Sequence, residues 1–427
     1  MIETGFDASE DRAREMDARD PLSAYRERFF LPRGADGREW IYLCGHSLGL
    51  QPKTSRQYID EELEDWARLG VEGHFHARHP WMPYHKLLTE QSAELLGARP
   101  NEVVVMNSLT VNLHLMMVSF YRPTKQRHKI LVERGAFPSD QYAVQSQIGF
   151  HGFNPATSLI ELAPRQGESC LRDEDIDSVI EREGDSIALI MLGAVNYATG
   201  QALDLERITK LGHSRGCVVG FDLAHAAGNL PLRLHDCGPD FAVWCNYKYL
   251  NGGPGCPGGC FVHERHTKAN CPRFAGWWGH DDKTRFEMPA QFQCLPGADG
   301  WQLSNPPILA LAALRASLDI FHEVGMERLR AKSLRLTAYL EFLLGQTESK
   351  AFSVITPCKP ERRGAQISLR VPGKGREWCA QLASAGVIGD WREPDIFRVA
   401  PVPLYNSFLD VYSFARKFAD ALAKDPL

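Results

Sequence analysis

The 427-residue chain has few of the features that mark membrane, nucleic-acid-binding or exported proteins. None of its apolar runs approaches the roughly 20 residues needed to cross a bilayer. Its formal net charge is −5, so it lacks the basic surface expected of a protein that binds nucleic acid. The acidic opening, MIETGFDASEDRARE, lacks the basic start and apolar core of a secretory signal. These features predict a cytoplasmic protein with neither a membrane nor a nucleic-acid partner.

The sequence also lacks a paired cysteine framework and a complete metal-binding pattern. Its eleven cysteines are an odd number in a chain without an export signal, so we expect reduced thiols. Cys256 and Cys260 stand in a glycine-rich loop, but no matching Cys or His pair accompanies them. Because a structural zinc site needs four ligands at recognisable spacing, no metal site is predicted.

Short apolar runs alternate with helical patterns through the middle of the chain. The strand candidates are EVVVM, KILVE, SLIEL, SIALIML, CVVGFD, FAVWC and GGCFVH. Because these runs lack polar alternation and are separated by helices, they predict a mostly parallel sheet covered on both faces. We expect an α/β fold with a large domain at residues 75–310 and a smaller α+β domain at residues 311–427. An N-terminal segment, residues 1–74, is expected to join the small domain.

Two of these runs end in residues that could bind a cofactor. CVVGFD ends with Asp222, and the run FAVWCNYKY reaches Tyr247 and Lys248. Ligands of an open parallel sheet gather beyond the carboxyl ends of its strands. A carboxylate and a lysine there suit pyridoxal phosphate, because the carboxylate pairs with the protonated pyridine nitrogen and the lysine forms a Schiff base. Alternatively, Asp222 caps a helix and Lys248 marks a strand end at the surface.

A phosphate group must also be held, and two strand-to-helix junctions are candidates. MNSLTVNLHL offers backbone N–H groups and the hydroxyls of Ser108 and Thr110 at a helix start, where an anion is stabilised. AFPSD places Phe137, which could stack on the pyridine ring, at a second junction. Ordinary helix capping is the alternative for both segments.

Motifs spread over nearly the whole chain form a family resemblance. They are SLGLQP, GHFHARHPW, NSLTVNLHL, AFPSDQYA, VGFDLAHAAGN, NYKYLNGGPG, GWWGH, LSNPPIL and RVAPVPLYNSF. Together they resemble the kynureninase family, which are fold-type I pyridoxal-phosphate enzymes of the aminotransferase superfamily. The resemblance implies a transferase-like fold with a mostly parallel central sheet, pyridoxal 5'-phosphate as cofactor, and a homodimer with its active site at the interface.

The resemblance implies roles in cofactor binding and catalysis for the matching residues. Lys248 would bind the cofactor covalently, Tyr247 would contact its phosphate and help to move protons, and Asp222 would pair with the pyridine nitrogen. These three are the predicted catalytic residues. Further cofactor contacts would come from Leu109, Thr110, Phe137, Pro138, Ser139, Asp140, His225, Trp277 and Asn305, the last two from across the dimer interface.

The resemblance also implies how the substrate is held. Arg398 matches an arginine that grips the substrate α-carboxylate, and His74 and Asn305 match residues that lie against the aryl ring. The alternative is that His74 packs on Trp81 and that Asn305 caps the following helix. The chain departs from the family pattern at two positions. His46 replaces the usual asparagine, and Gly193 stands where some relatives have a hydroxyl residue, so one cofactor contact there is in doubt.

The implied reaction is hydrolysis of L-kynurenine or 3-hydroxy-L-kynurenine to anthranilate or 3-hydroxyanthranilate plus L-alanine, in tryptophan degradation and NAD biosynthesis. One alternative is another fold-type I enzyme, such as an aminotransferase or a cysteine desulfurase. A desulfurase needs a mobile cysteine, and Cys256 and Cys260 lie too close to the predicted sheet for that. A second alternative, a regulator without catalysis, is disfavoured because both Lys248 and Arg398 are present.

Overall fold

The computed structural model describes residues 5–266, 271–347, 349–373 and 375–424. Its strands are β1 (Ile41–Tyr42), β2 (Val103–Val105), β3 (Lys129–Glu133), β4 (Leu159–Leu162), β5 (Ile187–Gly193), β6 (Val218–Asp222), β7 (Phe241–Cys245), β8 (Gly258–Val262), β9 (Ser353–Val354), β10 (Ile367–Arg370), β11 (Val387–Ile388), β12 (Asp390–Arg392) and β13 (Ile396–Val399). All seven strand candidates of the sequence therefore form strands.

The α-helices lie between and around these strands. They are α1 (Glu10–Ala18), α2 (Ser55–Leu69), α3 (Gly73–His76), α4 (Thr89–Leu96), α5 (Leu109–Phe120), α6 (Pro138–Phe150), α7 (Pro155–Ser158), α8 (Asp173–Glu183), α9 (Leu205–Ser214), α10 (Leu234–Cys237), α11 (Ile308–Val324), α12 (Met326–Gly345), α13 (Gly375–Ser384) and α14 (Phe408–Lys424). Within the described part of the chain, every helix is too short or too polar to cross a membrane.

The central sheet has seven strands in the order β2-β8-β7-β6-β5-β3-β4. Strands β4, β3, β5, β6 and β7 pair in parallel, and β8 runs antiparallel to both β7 and β2. The inner strands are buried over nearly their whole length, as expected for a sheet covered on both faces. The predicted α/β fold with a mostly parallel sheet is therefore confirmed.

A second, antiparallel sheet has the strand order β12-β13-β10-β9 and its own hydrophobic core. Helices α12, α13 and α14 supply much of that core, and α1 adds Ala13 and Met16. Later residues of the N-terminal segment, among them Leu22 and Phe29, belong instead to the core of the central sheet. The N-terminal segment thus contributes to both cores, and the exact domain limits stay a prediction.

A buried carboxylate ties the elements on one side of the central sheet together. Asp240, just before β7, accepts hydrogen bonds from the backbone N–H of Val219 in β6 and from His213, Arg265 and His266. Burial alone would raise the pKa of Asp240, but the hydrogen bonds from His213, His266 and Val219 hold it far below its usual range. The ionised carboxylate therefore stabilises the alignment of β6 with β7.

We expect Asp240→Asn to lower the free energy of unfolding by about 3 kcal/mol at pH 7, because it leaves buried donors without their anion. Urea unfolding measures this loss. Since the folded-state pKa is depressed, the contribution of Asp240 is complete at neutral pH and declines as the pH falls below the unfolded value of about 4. Asp282→Asn, at a half-exposed ion pair with Lys86, is the control and should change stability little. Equal stability of the two variants would contradict this role.

Candidate active site

Four parallel strands deliver polar residues to one edge of the central sheet. β3 ends at Glu133, β5 at Gly193 and β6 at Asp222, while Lys248 follows the end of β7. A cavity lies at this edge. Nine of the predicted catalytic and cofactor-binding residues line it: Leu109, Thr110, Phe137, Ser139, Asp140, Asp222, His225, Tyr247 and Lys248.

Lys248 is half-buried in this cavity, so the interpretation of a lysine at an exposed strand end is wrong. Its Nζ lies 3.1 Å from Nε2 of His225 and 5.8 Å from the centre of the Phe137 ring. Burial, followed by the charges of Lys248 and Arg398, holds the pKa of His225 well below its usual value. A neutral His225 can accept a hydrogen bond from the lysine ammonium.

The lysine is positioned by a close approach of the SLGL segment. The backbone N–H of Gly49 donates to the carbonyl oxygen of Tyr247 at 2.8 Å. A Cβ atom at Gly49 would collide with the carbonyl oxygen of Lys248 and with Asn251, so a larger residue would displace the lysine loop. This contact explains in physical terms why the glycine stands there.

Asp222 and Asp140 form a pair of buried carboxylates beside the lysine. Asp222 accepts a hydrogen bond from the backbone N–H of Ala224 at 2.6 Å, but no helix follows it among the described residues 223–233. The helix-cap interpretation of Asp222 is therefore wrong. Burial, and then the negative charge of Asp222, raises the pKa of Asp140 well above its usual value. Such a pair favours the binding of a cation between the two groups.

Glu133 lines the same cavity and was missed in the sequence. Its side chain is only 4% exposed, and its Oε2 accepts a hydrogen bond from Nδ2 of Asn196 at 3.1 Å. Burial raises the pKa of Glu133 to about 7, although the Asn196 hydrogen bond opposes the change. The strand-end rule that selected Asp222 would have selected Glu133 too, since KILVE ends in a carboxylate.

A pair of hydroxyl groups lies where two helices begin. Oγ1 of Thr110, in the first turn of α5, is 2.6 Å from Oγ of Ser139, in the first turn of α6. Ser108 precedes α5 but makes no capping hydrogen bond with its side chain, so ordinary capping does not account for it. Unsatisfied N–H groups and hydroxyls together form a place where an anion such as phosphate is stabilised.

Arg398, in β13 of the antiparallel sheet, does not line the cavity and is only 1% exposed. It donates to the carbonyl oxygen of Tyr197, a cavity residue, at 2.7 Å, and it pairs with Asp390 of β12. His46 is fully buried nearby, with Nε2 3.7 Å from Asp390 and its ring 6.4 Å from that of His225. Burial, and then the charge of Arg398, keeps the pKa of His46 well below its usual value, so it is neutral.

Besides Arg398, four predicted residues lie outside this cavity: His74, Pro138, Trp277 and Asn305. His74 packs edge-on against Trp81 at 5.4 Å, as one interpretation of the sequence held. Asn305 is exposed and does not cap α11, which begins after Pro307 without a side-chain capping bond. Trp277 packs on Phe286, and both are partly exposed. Roles for these residues at the site stay predictions.

The chain was compared with protein families and with curated proteins. Residues 329–418 match the family described as the kynureninase C-terminal domain. A kynureninase of Koribacter versatilis is 65% identical over 419 residues, covering 98% of this chain and 99% of that protein. A kynureninase of Myxococcus xanthus is 63% identical over 412 residues, covering 96% and 97% of the two chains.

Solved structures of the same fold are more distant in sequence. The apo cysteine desulfurase of Thermococcus onnurineus NA1 is 18% identical, with a TM-score of 0.76 over 90% of this chain and 95% of that one. A C-DES mutant with glycine covalently linked to its PLP cofactor is 17% identical, with a TM-score of 0.77 over 92% and 99%. At this identity the likeness shows the fold alone, and it confirms the predicted fold-type I architecture.

The cavity residues fit pyridoxal phosphate. Lys248 can reach an aldehyde in the cavity, and the buried pair Asp222 and Asp140 would be stabilised by a protonated pyridine nitrogen. The hydroxyls of Thr110 and Ser139 can hold a phosphate at the helix starts. The fold, the cavity and the identity to curated relatives over nearly the full length agree, and the chain belongs to the kynureninase family.

Proposed function

We propose that this chain hydrolyses the bond between the β-carbon and the aryl ketone of kynurenine substrates, with Lys248, Asp222 and Tyr247 as catalytic residues. The proposal depends above all on one observation, the half-buried Lys248 in a cavity with two buried aspartates. When bound, pyridoxal phosphate supplies an electron sink for negative charge on the substrate carbons next to the amine. We further propose a cytoplasmic setting, which the eleven free cysteines support.

Lys248 and Tyr247 are the proposed proton carriers. The Lys248 Nζ takes a proton from the substrate α-carbon, and neutral His225 accepts a hydrogen bond from it at 3.1 Å. Burial, together with the neighbouring Cys245, raises the pKa of Tyr247 above its usual range, so its hydroxyl is protonated and can donate. The hydroxyl supplies the proton that the β-carbon needs when the bond breaks.

Asp222 holds the proposed proton on the pyridine nitrogen, with Asp140 beside it. Phe137, at the start of α6, lines the cavity and would pack against the ring. Thr110 and Ser139 would hold the phosphate together with the N–H groups of α5, including that of Leu109. Held at both ends in this way, the ring would be within reach of Lys248.

Arg398 is the proposed anchor of the substrate α-carboxylate. Its planar guanidinium can donate two parallel hydrogen bonds to a carboxylate. The carbonyl of Tyr197, a cavity residue, and the carboxylate of Asp390 hold the guanidinium in one orientation. A substrate bound there would present its α-carbon to Lys248.

A homodimer is proposed on the basis of an exposed aromatic patch. The side chains of Trp277, Phe286 and Phe75 are 40%, 54% and 52% exposed, and they contact one another in series. Adjacent exposed aromatic residues mark interaction surfaces in soluble proteins. A second copy that covers this patch would bring Trp277 and Asn305 to its partner's site, which the single chain leaves without them.

The proposed preferred substrate is 3-hydroxy-L-kynurenine, with activity retained on L-kynurenine. His74 and Asn305 offer an imidazole and an amide, and a ring hydroxyl removed from water needs such partners. Nδ1 of His74 lies 3.0 Å from the carbonyl oxygen of Val71, so the other ring nitrogen is available to a substrate. Asn305 is exposed and makes no capping bond to α11.

We expect Lys248→Ala to abolish turnover of L-kynurenine while the fold stays intact, because no other lysine lines the described cavity. Fluorescence of released anthranilate measures turnover, and circular dichroism measures the fold. Lys210→Ala is the matched control, since Lys210 lies exposed on α9 in an ion pair with Glu206. Near-normal turnover by Lys248→Ala would refute the assignment of this site.

Arg398→Lys should raise the KM for L-kynurenine about 10-fold to 100-fold, because a point charge cannot replace the two parallel hydrogen bonds to a carboxylate. Steady-state kinetics measure this change separately from kcat. Arg392→Lys is the matched control, because Arg392 also pairs with Asp390 but is partly exposed. If the KM stays at its wild-type value in Arg398→Lys, the α-carboxylate binds elsewhere.

The wild-type enzyme should show a higher kcat/KM for 3-hydroxy-L-kynurenine than for L-kynurenine. The double change His74→Phe and Asn305→Thr should reduce that ratio about 5-fold to 100-fold, as expected for loss of polar partners worth about 1–3 kcal/mol. His76→Phe, an exposed change on the same helix, is the control. A wild-type ratio that favours plain kynurenine would overturn the proposal, as would a ratio that the double change leaves untouched.

A further inference from the structure

Glu133 is a third buried carboxylate at the site, and the proposed reaction gives it no task. It ends β3, and its Oε2 is held by the side-chain amide of Asn196, in the loop after β5. A Cβ atom built on Gly193, the last residue of β5, would lie 3.6 Å from the same oxygen. Glu133 therefore lies between the ends of two neighbouring strands and faces the cavity.

The charges that face Glu133 do not balance. Asp222 faces it from β6 and Asp140 from α6, while Lys248, after β7, is the only cation among the described residues that line the cavity. His225, the remaining titratable neighbour besides Tyr247, is neutral. A protonated pyridine ring would add one positive charge, so three ionised carboxylates would still leave an excess negative charge in a buried space. If one carboxylate keeps a proton, the excess charge disappears and with it the free-energy cost of burying that charge.

The contacts of the three carboxylates distinguish them. Asp222 is the proposed partner of the pyridine nitrogen. Oδ1 of the adjacent Asp140 has no hydrogen-bond partner in the protein, so a protonated ring beside it would oppose the rise in the Asp140 pKa that burial and Asp222 cause. Glu133, in contrast, is held by a neutral amide. We propose that Glu133 is a positioning residue that keeps this proton when the cofactor is bound and so sets the charge next to the pyridine–Asp222 pair. This inference rests on the proposed roles of Asp222 and Lys248.

Burial raises the pKa of Glu133 to about 7, with the charge of Asp222 adding to the effect and Asn196 opposing it. Its proton is therefore lost within the neutral range. Above that pH the ionised Glu133 adds negative charge near the ring and favours a protonated pyridine. The absorbance of the bound cofactor should change accordingly.

The test is a pH titration of the holoenzyme, followed by the absorbance of bound pyridoxal phosphate within about two pH units of neutrality. We expect the wild type and Asp140→Asn to show a transition near neutral pH, and Glu133→Gln, which stays neutral, to lose it while still binding the cofactor. Glu161→Gln, at an exposed position on β4, is the matched control and should titrate as the wild type does. A transition that persists in Glu133→Gln, or one lost in Asp140→Asn, would overturn the proposal.

Asn196→Asp gives a second test, which does not depend on the folding of Glu133→Gln. Asn196 Oδ1 accepts hydrogen bonds from the N–H groups of Ala198 and Thr199, and an aspartate keeps that oxygen. It removes the amide donor to Glu133 and adds a negative charge, so the transition should move at least about one pH unit higher. An infrared titration should follow the loss of a protonated carboxyl at the same pH.

An unshifted transition in Asn196→Asp would contradict the role of Glu133. A failure of the proposed active site itself would give a different result. Turnover that survives in Lys248→Ala would contradict the proposed site, whatever the behaviour of Glu133.

Discussion

Negative charge buried at one edge of the central sheet is the constraint on which this site depends. Asp222, Asp140 and Glu133 reach the edge from two strands and a helix, and Lys248 alone opposes them among the described cavity residues. Like charges in a space of low dielectric constant repel strongly, so the site is stabilised by a bound cation. A ligand with a protonated pyridine ring relieves that repulsion, and by linkage its binding stabilises the folded chain. The same buried carboxylates that would keep the pyridine ring protonated thus also favour binding of the cofactor.

The fold and the centre of the site could be predicted because both follow from local patterns. Buried parallel strands are short, continuous apolar runs, and parallel strands place their ends at one edge. Asp222 and Lys248 were found in this way, and both line the cavity. Glu133 obeys the same rule at the end of KILVE but was missed, because a glutamate at a strand end is usually exposed to solvent. Its raised pKa depends on burial and on Asp222, which only the packed structure brings together.

The remaining predictions concern contacts that a single chain does not make. His74, Trp277 and Asn305 lie outside the cavity, and no local period in the sequence encodes where a second copy would sit. The feature that points to a partner arises only in the folded chain. It is the exposed aromatic patch formed by Phe75, Phe286 and Trp277. Family resemblance supplied these residues, whereas composition and spacing did not. The role of His74 stays a proposal, and those of Trp277 and Asn305 stay proposals that depend on the dimer.

The buried charge and the exposed aromatic surface are two unfavourable features of the single chain. Each would be relieved by a different partner, and the proposed site links the two partners. A cofactor relieves the buried charge within one chain, while a second copy would cover the aromatic patch between chains. If Trp277 and Asn305 complete the partner's site, each dimer contact also becomes a cofactor contact. Coupling between two binding events is reciprocal. Dimer formation would then increase the affinity for the cofactor, and the cofactor would increase the affinity between the two chains by the same factor. If Arg398, which contacts Asp390 of the antiparallel sheet and the Tyr197 carbonyl after β5, binds the substrate carboxylate as proposed, the substrate joins the same linkage, because that site requires both sheets to be in register.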